Sequence, residues 1–347
     1  MELPAEVQIA MFKLAGKHFD LPNLSKRKTF VLERSHVALG ASIFNSSHKE
    51  ELWKAIERGD LKTLNHDFIE QLSTSHPHFH AILEEAGLPI PPTFIQIPHP
   101  QTGQLMFAGS IGRPLPQENN NLWVLKETLH RGKGVSFVRA KQLEGIKLKQ
   151  EQFVQQFVFP PDRWIRDIRV YLVGGEPVAG LVRRAKKPLT EANEAGERPT
   201  EEQFPTAEHP GVNEPLEGEL KEKIYAMAKE AARVLDARVR GRRKVGGPVF
   251  GWGAIDFLLD KEGNPRPLEF DTSPSITKFQ DIHKTIAQKM AEFVKREAGD
   301  THKIVVYGER DEFLKLLLSH LPPETEVREP LIVAAAKALR LPPLRRP

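Results

Sequence analysis

Asp256-Phe-Leu-Leu-Asp-Lys-Glu-Gly-Asn-Pro265-Arg-Pro-Leu-Glu269-Phe-Asp271-Thr-Ser-Pro274 is the stretch on which the fold turns. Apolar and acidic residues flank Glu262-Gly-Asn-Pro265, a cluster of turn formers, so the stretch reads as two β-strands joined by a turn. Alternate residues of a strand share a face. That places Glu269 and Asp271 together, and the turn brings Asp256 across from them. Three carboxylates converging this way suit a hard divalent cation such as Mg²⁺, which takes oxygen ligands, rather than Zn²⁺, which takes His and Cys. Standing alone, the pattern equally describes an ordinary hairpin with exposed acids, and the residues upstream decide between the two.

Upstream, Asn119-Asn-Asn-Leu-Trp-Val-Leu-Lys126 reads as a strand ending in lysine. The glycine-rich His130-Arg-Gly132-Lys133-Gly134 follows, and then another strand. Glycines let backbone N–H groups approach a phosphate closely, and a lysine adds a point charge; the spacing is not that of a Walker A loop. Phe153-Val-Gln-Gln156-Phe157-Val158 reads as a strand leading into a hinge, and Asp167-Ile-Arg169 to Arg183-Arg184-Ala-Lys186 as a hairpin turning at Gly174-Gly-Glu-Pro177. Lysine strand, glycine loop, hinge, Asp-Ile-Arg hairpin, double arginine and acidic hairpin, in that order, resemble the ATP-grasp superfamily over about residues 65–296. The chain is most similar to the ribosomal-protein glutamate ligases and related carboxylate–amine ligases. A second similarity, to tubulin-tyrosine-ligase-like enzymes, rests on Ser273-Pro274-Ser275.

The resemblance implies a mixed α/β (α+β) fold in which a nucleotide is held between two α+β lobes. It divides the chain into an N-terminal lobe (1–64), a small lobe with the glycine loop (65–155), a larger lobe (156–300) with a mobile insertion at 186–218, and a C-terminal appendage (301–347). It implies ATP and one or two Mg²⁺ ions, with Mn²⁺ as a substitute. The activity implied is amide formation between an amino acid or amine and a carboxylate, on a small molecule or peptide, through an acyl phosphate. Lys126 would contact the phosphates, and Gly132, Lys133 and Gly134 would cover them. Gln156, Phe157 and Val158 would grip adenine, with Asp167 near the ribose. Arg183 and Arg169 would serve the transferring phosphoryl group, Arg184 and Asn193 the phosphate or substrate carboxylate, and Asp256, Glu269 and Asp271 the metal. The chain departs from the family in having Gln156 for a hinge glutamate, Asp271 for an asparagine, and His76 near where a helix-starting lysine is usual. Two rival readings are a small-molecule kinase on the same fold, suited by the basic runs at 183–187 and 238–244, and a non-catalytic nucleotide-binding protein, against which the intact acidic triad argues.

Composition sets outer bounds. A chain of 347 residues, 39% hydrophobic, has the material for two or three packed lobes. No apolar run reaches transmembrane length, and Met1-Glu-Leu-Pro-Ala-Glu6 lacks the pattern of a secretory signal. The absence of cysteine excludes disulfides, thiolate metal sites and a thiol nucleophile. A cytoplasmic protein with no membrane partner is the expectation. A net charge of +4 falls short of a dedicated nucleic-acid binder. Helical patterns run over Val7–Phe19, Lys49–Arg58, His66–Leu72, Pro77–Glu85, Glu217–Arg240, Ile276–Arg296, Asp311–Leu321 and Leu331–Leu339, with a strand at Lys303–Tyr307. Residues 186–218, rich in Glu, Pro, Thr and Ala, read as too polar to order themselves and as a lid over substrate. His76, His78 and His80 read as the solvated start of a helix rather than a metal site.

Overall fold

The computed structural model describes residues 29–33, 49–65, 69, 72, 75–98, 105–109, 122–127, 135–143, 145–149, 152–204, 211–241, 248–272, 274, 279–300, 302–307 and 311–328. Along them run β1 (Thr29–Glu33), α1 (Lys49–Arg58), β2 (Leu61–Thr63), α2 (His76–Glu85), β3 (Thr93–Pro98), β4 (Leu105–Gly109), β5 (Leu122–Glu127), β6 (Ser136–Arg139) and the single turn α3 (Ala140–Leu143). Then come β7 (Gln152–Gln156), β8 (Arg166–Val173), β9 (Glu176–Arg184), α4 (Glu191–Glu194), β10 (Val212–Pro215) and α5 (Gly218–Arg240). The chain continues through β11 (Trp252–Leu259), β12 (Pro265–Asp271), α6 (Gln280–Ala298), β13 (Lys303–Tyr307), α7 (Glu312–Leu318) and β14 (Glu326–Arg328). The fold is mixed α/β, with two five-stranded antiparallel sheets and one four-stranded parallel sheet.

The larger antiparallel sheet has the order β10-β9-β8-β11-β12 and contains both hairpins signalled by the sequence. β8 and β9 turn at Gly174 and Gly175, with φ of 62° and 80°. A two-residue turn that matches the strand twist requires positive φ at both positions, and glycine adopts it without a Cβ clash. Along β8, Ile168, Val170 and Leu172 face one way and join Ile255 and Phe257 beneath α5, whose Ile224, Ala228, Ala231 and Leu235 recur at helical spacing. Tyr171 and Val173 face the other way, with Leu181, Trp252 and Ala254, and pack under α6 through Ile286, Met290, Phe293 and Val294. Each large side chain buried here contributes roughly 1.5–3 kcal/mol relative to exposure, so the sheet is fixed on both faces. The second face then changes character. Beyond Tyr171, Leu181 and Ala254, the next positions on it are Arg169, Arg183 and Asp256. A core face runs on into a polar site.

The smaller antiparallel sheet, β4-β3-β7-β5-β6, packs Phe94, Trp123 and Val154 against Ala140 and Leu143 of α3. Its other face carries Thr93, Gln155, Val124 and Lys126 at alternating, paired positions. The parallel sheet, β14-β13-β1-β2, joins residues 29–63 to residues 303–328. Ile304, Val306, Phe313 and Leu314 continue from it into the core under α6. Asn65 clasps the sheets together: its carboxamide accepts from the Gly251 and Trp252 amides, both at 2.9 Å, and donates to the Trp252 carbonyl at 2.8 Å.

The described part of 186–218 is more ordered than its composition suggests. α4 opens with a capping box between Thr190 and Asn193, Gln203 Nε2 donates to Pro188 O and Asn193 Oδ1, and β10 pairs with β9. Hydrogen bonds among buried polar groups hold it, and a count of apolar residues misses them. The expected helices at Val7–Phe19 and Leu331–Leu339, most of His66–Leu72, and Gly132, Lys133 and Gly134 lie outside the described residues. Among the described residues, no helix is long and apolar enough to cross a membrane.

Candidate active site

Antiparallel register sets charged residues side by side. Asp167 lies across from Arg183, Arg169 from Asp256, and Asp256 from Glu269. Arg169 grips Asp256 in bidentate fashion, Nε to Oδ1 and Nη2 to Oδ2, both at 2.7 Å. Their side chains are only 11% and 3% exposed. The same guanidinium stands 3.9 Å from Glu269 Oε1 and 4.0 Å from Asp271 Oδ2. Arg183 pairs with Asp167 and comes within 3.6 Å of Asp256 Oδ2. From the smaller sheet, Lys126 Nζ donates to Gln155 Oε1 at 2.8 Å, and its charge acts on Glu269, Asp167 and Asp256. His76, the first residue of α2, brings Nδ1 to 3.9 Å from Glu269 Oε2.

Burial and crowding perturb Glu269, Asp167, Asp256, Lys126 and His76. Burial, followed by repulsion from Asp256, pushes the Glu269 carboxyl up to about 8. Burial lifts Asp167 to about 6 against the pull of Arg183. Burial acts to raise Asp256 too, but Arg169 outweighs it and holds that carboxyl below its usual range. Burial lowers the Lys126 ammonium. It also drops His76 to about 4, with the Lys126 charge adding to the effect, so this imidazole is neutral at pH 7. Glu269 therefore keeps a proton near neutrality and hydrogen-bonds with Asp256. Such a carboxyl pair is a place where a cation would displace a proton.

Between the two antiparallel sheets lies a cleft of about 50 Å³, several times the ~10–15 Å³ that one water requires. Val124, Lys126 and the hinge Gln156–Val158 line one wall, and Asp167, Leu258 and Leu268 the other. The Gln156 and Phe157 amides already donate to Pro92 O (2.8 Å) and Leu122 O (2.9 Å). Among the described residues no hydrogen bond is made by the Val158 amide. Phe157 is locked by edge contacts with Phe137 and Phe159.

Arg184 and Asn193 do not join this cluster. Arg184 lies over the Trp164 ring at 4.8 Å and pairs with Glu214 at 3.3 Å. Asn193 is 3% exposed, and its carboxamide is engaged by Thr190, Gln203 and the Glu197 carbonyl. The histidines correct the expectation of a solvated helix start: His80 is fully buried, His76 faces Glu269, and of the three His78 alone is exposed. The signal was there in the helical period. His76 and His80 fall on the same face as Phe79 and Leu83, which packs against β12 and β3.

Asp256, Glu269 and Asp271 supply only oxygen, the donor set of Mg²⁺ or Mn²⁺. Among the described residues, no three His, Asp or Glu groups stand ready as a metal site, and both Asp256 oxygens are turned into Arg169. The donors fit the ion once Asp256 leaves that pair. Of the side-chain atoms buried without hydrogen-bond partners among the described residues, three, His76 Nδ1, Asp167 Oδ1 and Arg183 Nε, lie in this cluster; Trp123, Arg238, His283 and Thr325 carry the others.

No family model and no curated protein matches this sequence. Solved structures similar in shape include the ATP-grasp ligase PsnB complexed with minimal precursor, Mg and ADP, at 17% identity and a TM-score of 0.41 over 74% of this chain and 72% of that one. The same ligase complexed with precursor peptide PsnA2 and AMPPNP gives 17% identity and a TM-score of 0.42 over the same shares. Similarity at this level assigns no residue, and the reading of the site rests on its own geometry.

Proposed function

We propose that this chain is an ATP- and Mg²⁺-dependent carboxylate–amine ligase of the ATP-grasp kind. It would join an amino acid or amine to a carboxylate, on a small molecule or peptide, through an acyl phosphate, releasing ADP and phosphate. One observation carries the reading: a single connected cluster sets Lys126, Arg169 and Arg183 against Asp167, Asp256, Glu269 and Asp271, and Lys126 and Asp167 of that cluster line the cleft between the sheets. Cations for a phosphoryl group and oxygens for a metal are what activation of a carboxylate by ATP needs. In this reading residues 65–155 and 156–300 supply the two walls. Lys126, held on Gln155, meets the phosphates, and Gly132, Lys133 and Gly134 cover them. Gln156, Phe157 and Val158 bound the base, and Asp167 Oδ1 accepts from a ribose hydroxyl. Asp256, Glu269 and Asp271 would hold Mg²⁺, which would supply positive charge to screen the phosphates. Arg183 neutralises the transferring phosphoryl group, and Arg169 joins it when Asp256 gives up the bidentate pair. Arg184 and Asn193 take no part, being engaged elsewhere.

The test is to incubate purified protein with ATP and Mg²⁺ and with pooled amino acids, peptides and phosphorylated polyols, following free phosphate and product masses together. Free phosphate with a mass gain equal to a condensed amino acid is the expected result. A phosphoryl mass gain without free phosphate would make the protein a kinase. ATP binding without turnover on any pool would make it a nucleotide-binding protein.

A further inference from the structure

Thr93, His80 and Gln155 are polar yet only 5%, 0% and 2% exposed, and they hydrogen-bond in series across the cleft. The series begins at a defect in the larger sheet. Pairing of β11 with β12 passes from Asp256↔Glu269 directly to Phe257↔Pro267, so Leu268 is the extra residue of a β-bulge, with no partner across the ladder. Its carbonyl meets His80 Nε2 of α2 at 2.8 Å. His80 Nδ1 lies 3.1 Å from Thr93 Oγ1 on β3, Gln155 Nε2 of β7 donates to that hydroxyl at 3.0 Å, and Lys126 Nζ donates to Gln155 Oε1 at 2.8 Å.

The proton positions follow from the first contact. Burial, helped by the neighbouring His76 and Lys126, drops His80 to about 3, so the ring carries one N–H. A carbonyl only accepts, so that N–H is on Nε2 and Nδ1 is the acceptor. The Thr93 hydroxyl has one proton and two acceptors beside it, Pro91 O at 2.9 Å, to which it donates, and His80 Nδ1 at 3.1 Å. With that proton engaged, its lone pair takes the Gln155 amine, and this orientation turns the Gln155 carbonyl to the lysine.

We propose that His80, Thr93 and Gln155 are positioning residues for Lys126. They fix the orientation of the Gln155 amide that seats the ammonium, and they anchor it to the backbone one residue before Glu269. The phosphate-binding lysine on one wall is thereby held in register with the metal-binding carboxylates on the other. This assignment rests on reading the cleft as an ATP site. A misplacement of about 1 Å at such a site costs on the order of a hundredfold in rate, which gives the relay a function beyond satisfying buried polar groups.

Thr93→Val removes the hydroxyl at nearly constant volume, and Thr93→Ser keeps it. ATP and adenosine affinities are measured in the presence of Mg²⁺ for wild type and both variants, by calorimetry for ATP and by competition for adenosine. Adenosine has no phosphate for Lys126 to meet. The expected result is that Thr93→Val weakens ATP about tenfold, the worth of an oriented hydrogen bond to a charged group, while adenosine affinity is unchanged and Thr93→Ser behaves as wild type. Equal weakening of ATP and adenosine would show that Thr93 acts through the fold and would overturn the relay. So would unchanged ATP affinity in Thr93→Val. As a second arm, Thr93→Val placed on Lys126→Met should cause no further loss of ATP affinity. A wild type that binds no ATP would overturn the functional reading and the relay with it; a wild type that binds ATP normally, beside an unaffected Thr93→Val, overturns the relay alone.

Discussion

Replacing Asp256 by Asn should destabilise the protein by about 2–4 kcal/mol. In the wild type, two Arg169 nitrogens each find a carboxylate oxygen at 2.7 Å. Asparagine offers one oxygen and turns an amine toward the second nitrogen, so one hydrogen bond becomes a contact between donors. The guanidinium, 11% exposed, also loses its nearest counter-charge. Removing one member of a buried ion pair costs about 3–5 kcal/mol. Two neighbours lessen the loss here, since Glu269 and Asp271 lie at 3.9 and 4.0 Å from the same group. With Asp256 neutral, the repulsion that adds to burial in raising Glu269 disappears, and its carboxyl falls from about 8 toward ionisation beside the arginine. Urea unfolding at neutral pH reads the effect as a lower midpoint with an unchanged slope. Asp271→Asn is the comparison: that side chain is 32% exposed, and its loss should cost less than about 1 kcal/mol. A cost below about 1 kcal/mol for Asp256→Asn, or equal costs for the two variants, would refute the view that a desolvated pair organises this face.

Two further outcomes are expected. His80 has a folded value of about 3, below the ~6.5 of an unfolded histidine. The unfolded chain therefore takes up the proton first, and stability falls as pH drops from about 6.5 toward 3, by up to ~1.4 kcal/mol per pH unit. His80→Gln should make the acid loss shallower than in wild type, leaving the share due to His76 (about 4), when urea midpoints are compared at about pH 6.5, 5.5 and 4.5; parallel curves would show that the His80 ring is protonated within the fold. A Cβ at Gly251 would sit 1.9 Å from the Leu64 carbonyl oxygen, whereas one at Gly263 (φ 74°) meets nothing within 4 Å. In thermal unfolding, Gly251→Ala should cost at least about 3 kcal/mol and Gly263→Ala about 1–2 kcal/mol. Equal losses would remove the close approach as an explanation.

Glu269 and Asp271 could be placed on one face from the sequence because a strand repeats every two residues, and the turn back to Asp256 is marked by Gly263. Nothing in one strand names its neighbour. Arg169 takes Asp256, 87 residues on, because β8 happens to lie beside β11. Arg183 meets Asp167 only after an irregularity at Tyr171 and Leu172 shifts the hairpin register. The bulge at Leu268 was equally hidden, and with it the reason for a buried histidine on α2. Residues 29–63 run strand, helix, strand with β1 and β2 parallel, a β–α–β unit that the sequence did not reveal, since β2 is three residues long and the rest of its sheet comes from beyond residue 300. Asn193 stands in the order the resemblance leads one to expect, yet its carboxamide is directed into its own loop. Order along a chain does not carry direction in space.

The parallel sheet has a consequence for synthesis of the chain. β1 sits inside that sheet, with β2 on one side and β13 on the other, and about 270 residues separate Thr29 from its partner Lys303. On a ribosome moving at ~5–20 residues per second, β1 emerges on the order of 14–50 s before β13 exists. Throughout that interval one edge of β1 has its hydrogen-bonding groups open to any other strand nearby. A strand made so long before its partner is enclosed late, and the nascent protein must keep it from the wrong partner until its own arrives.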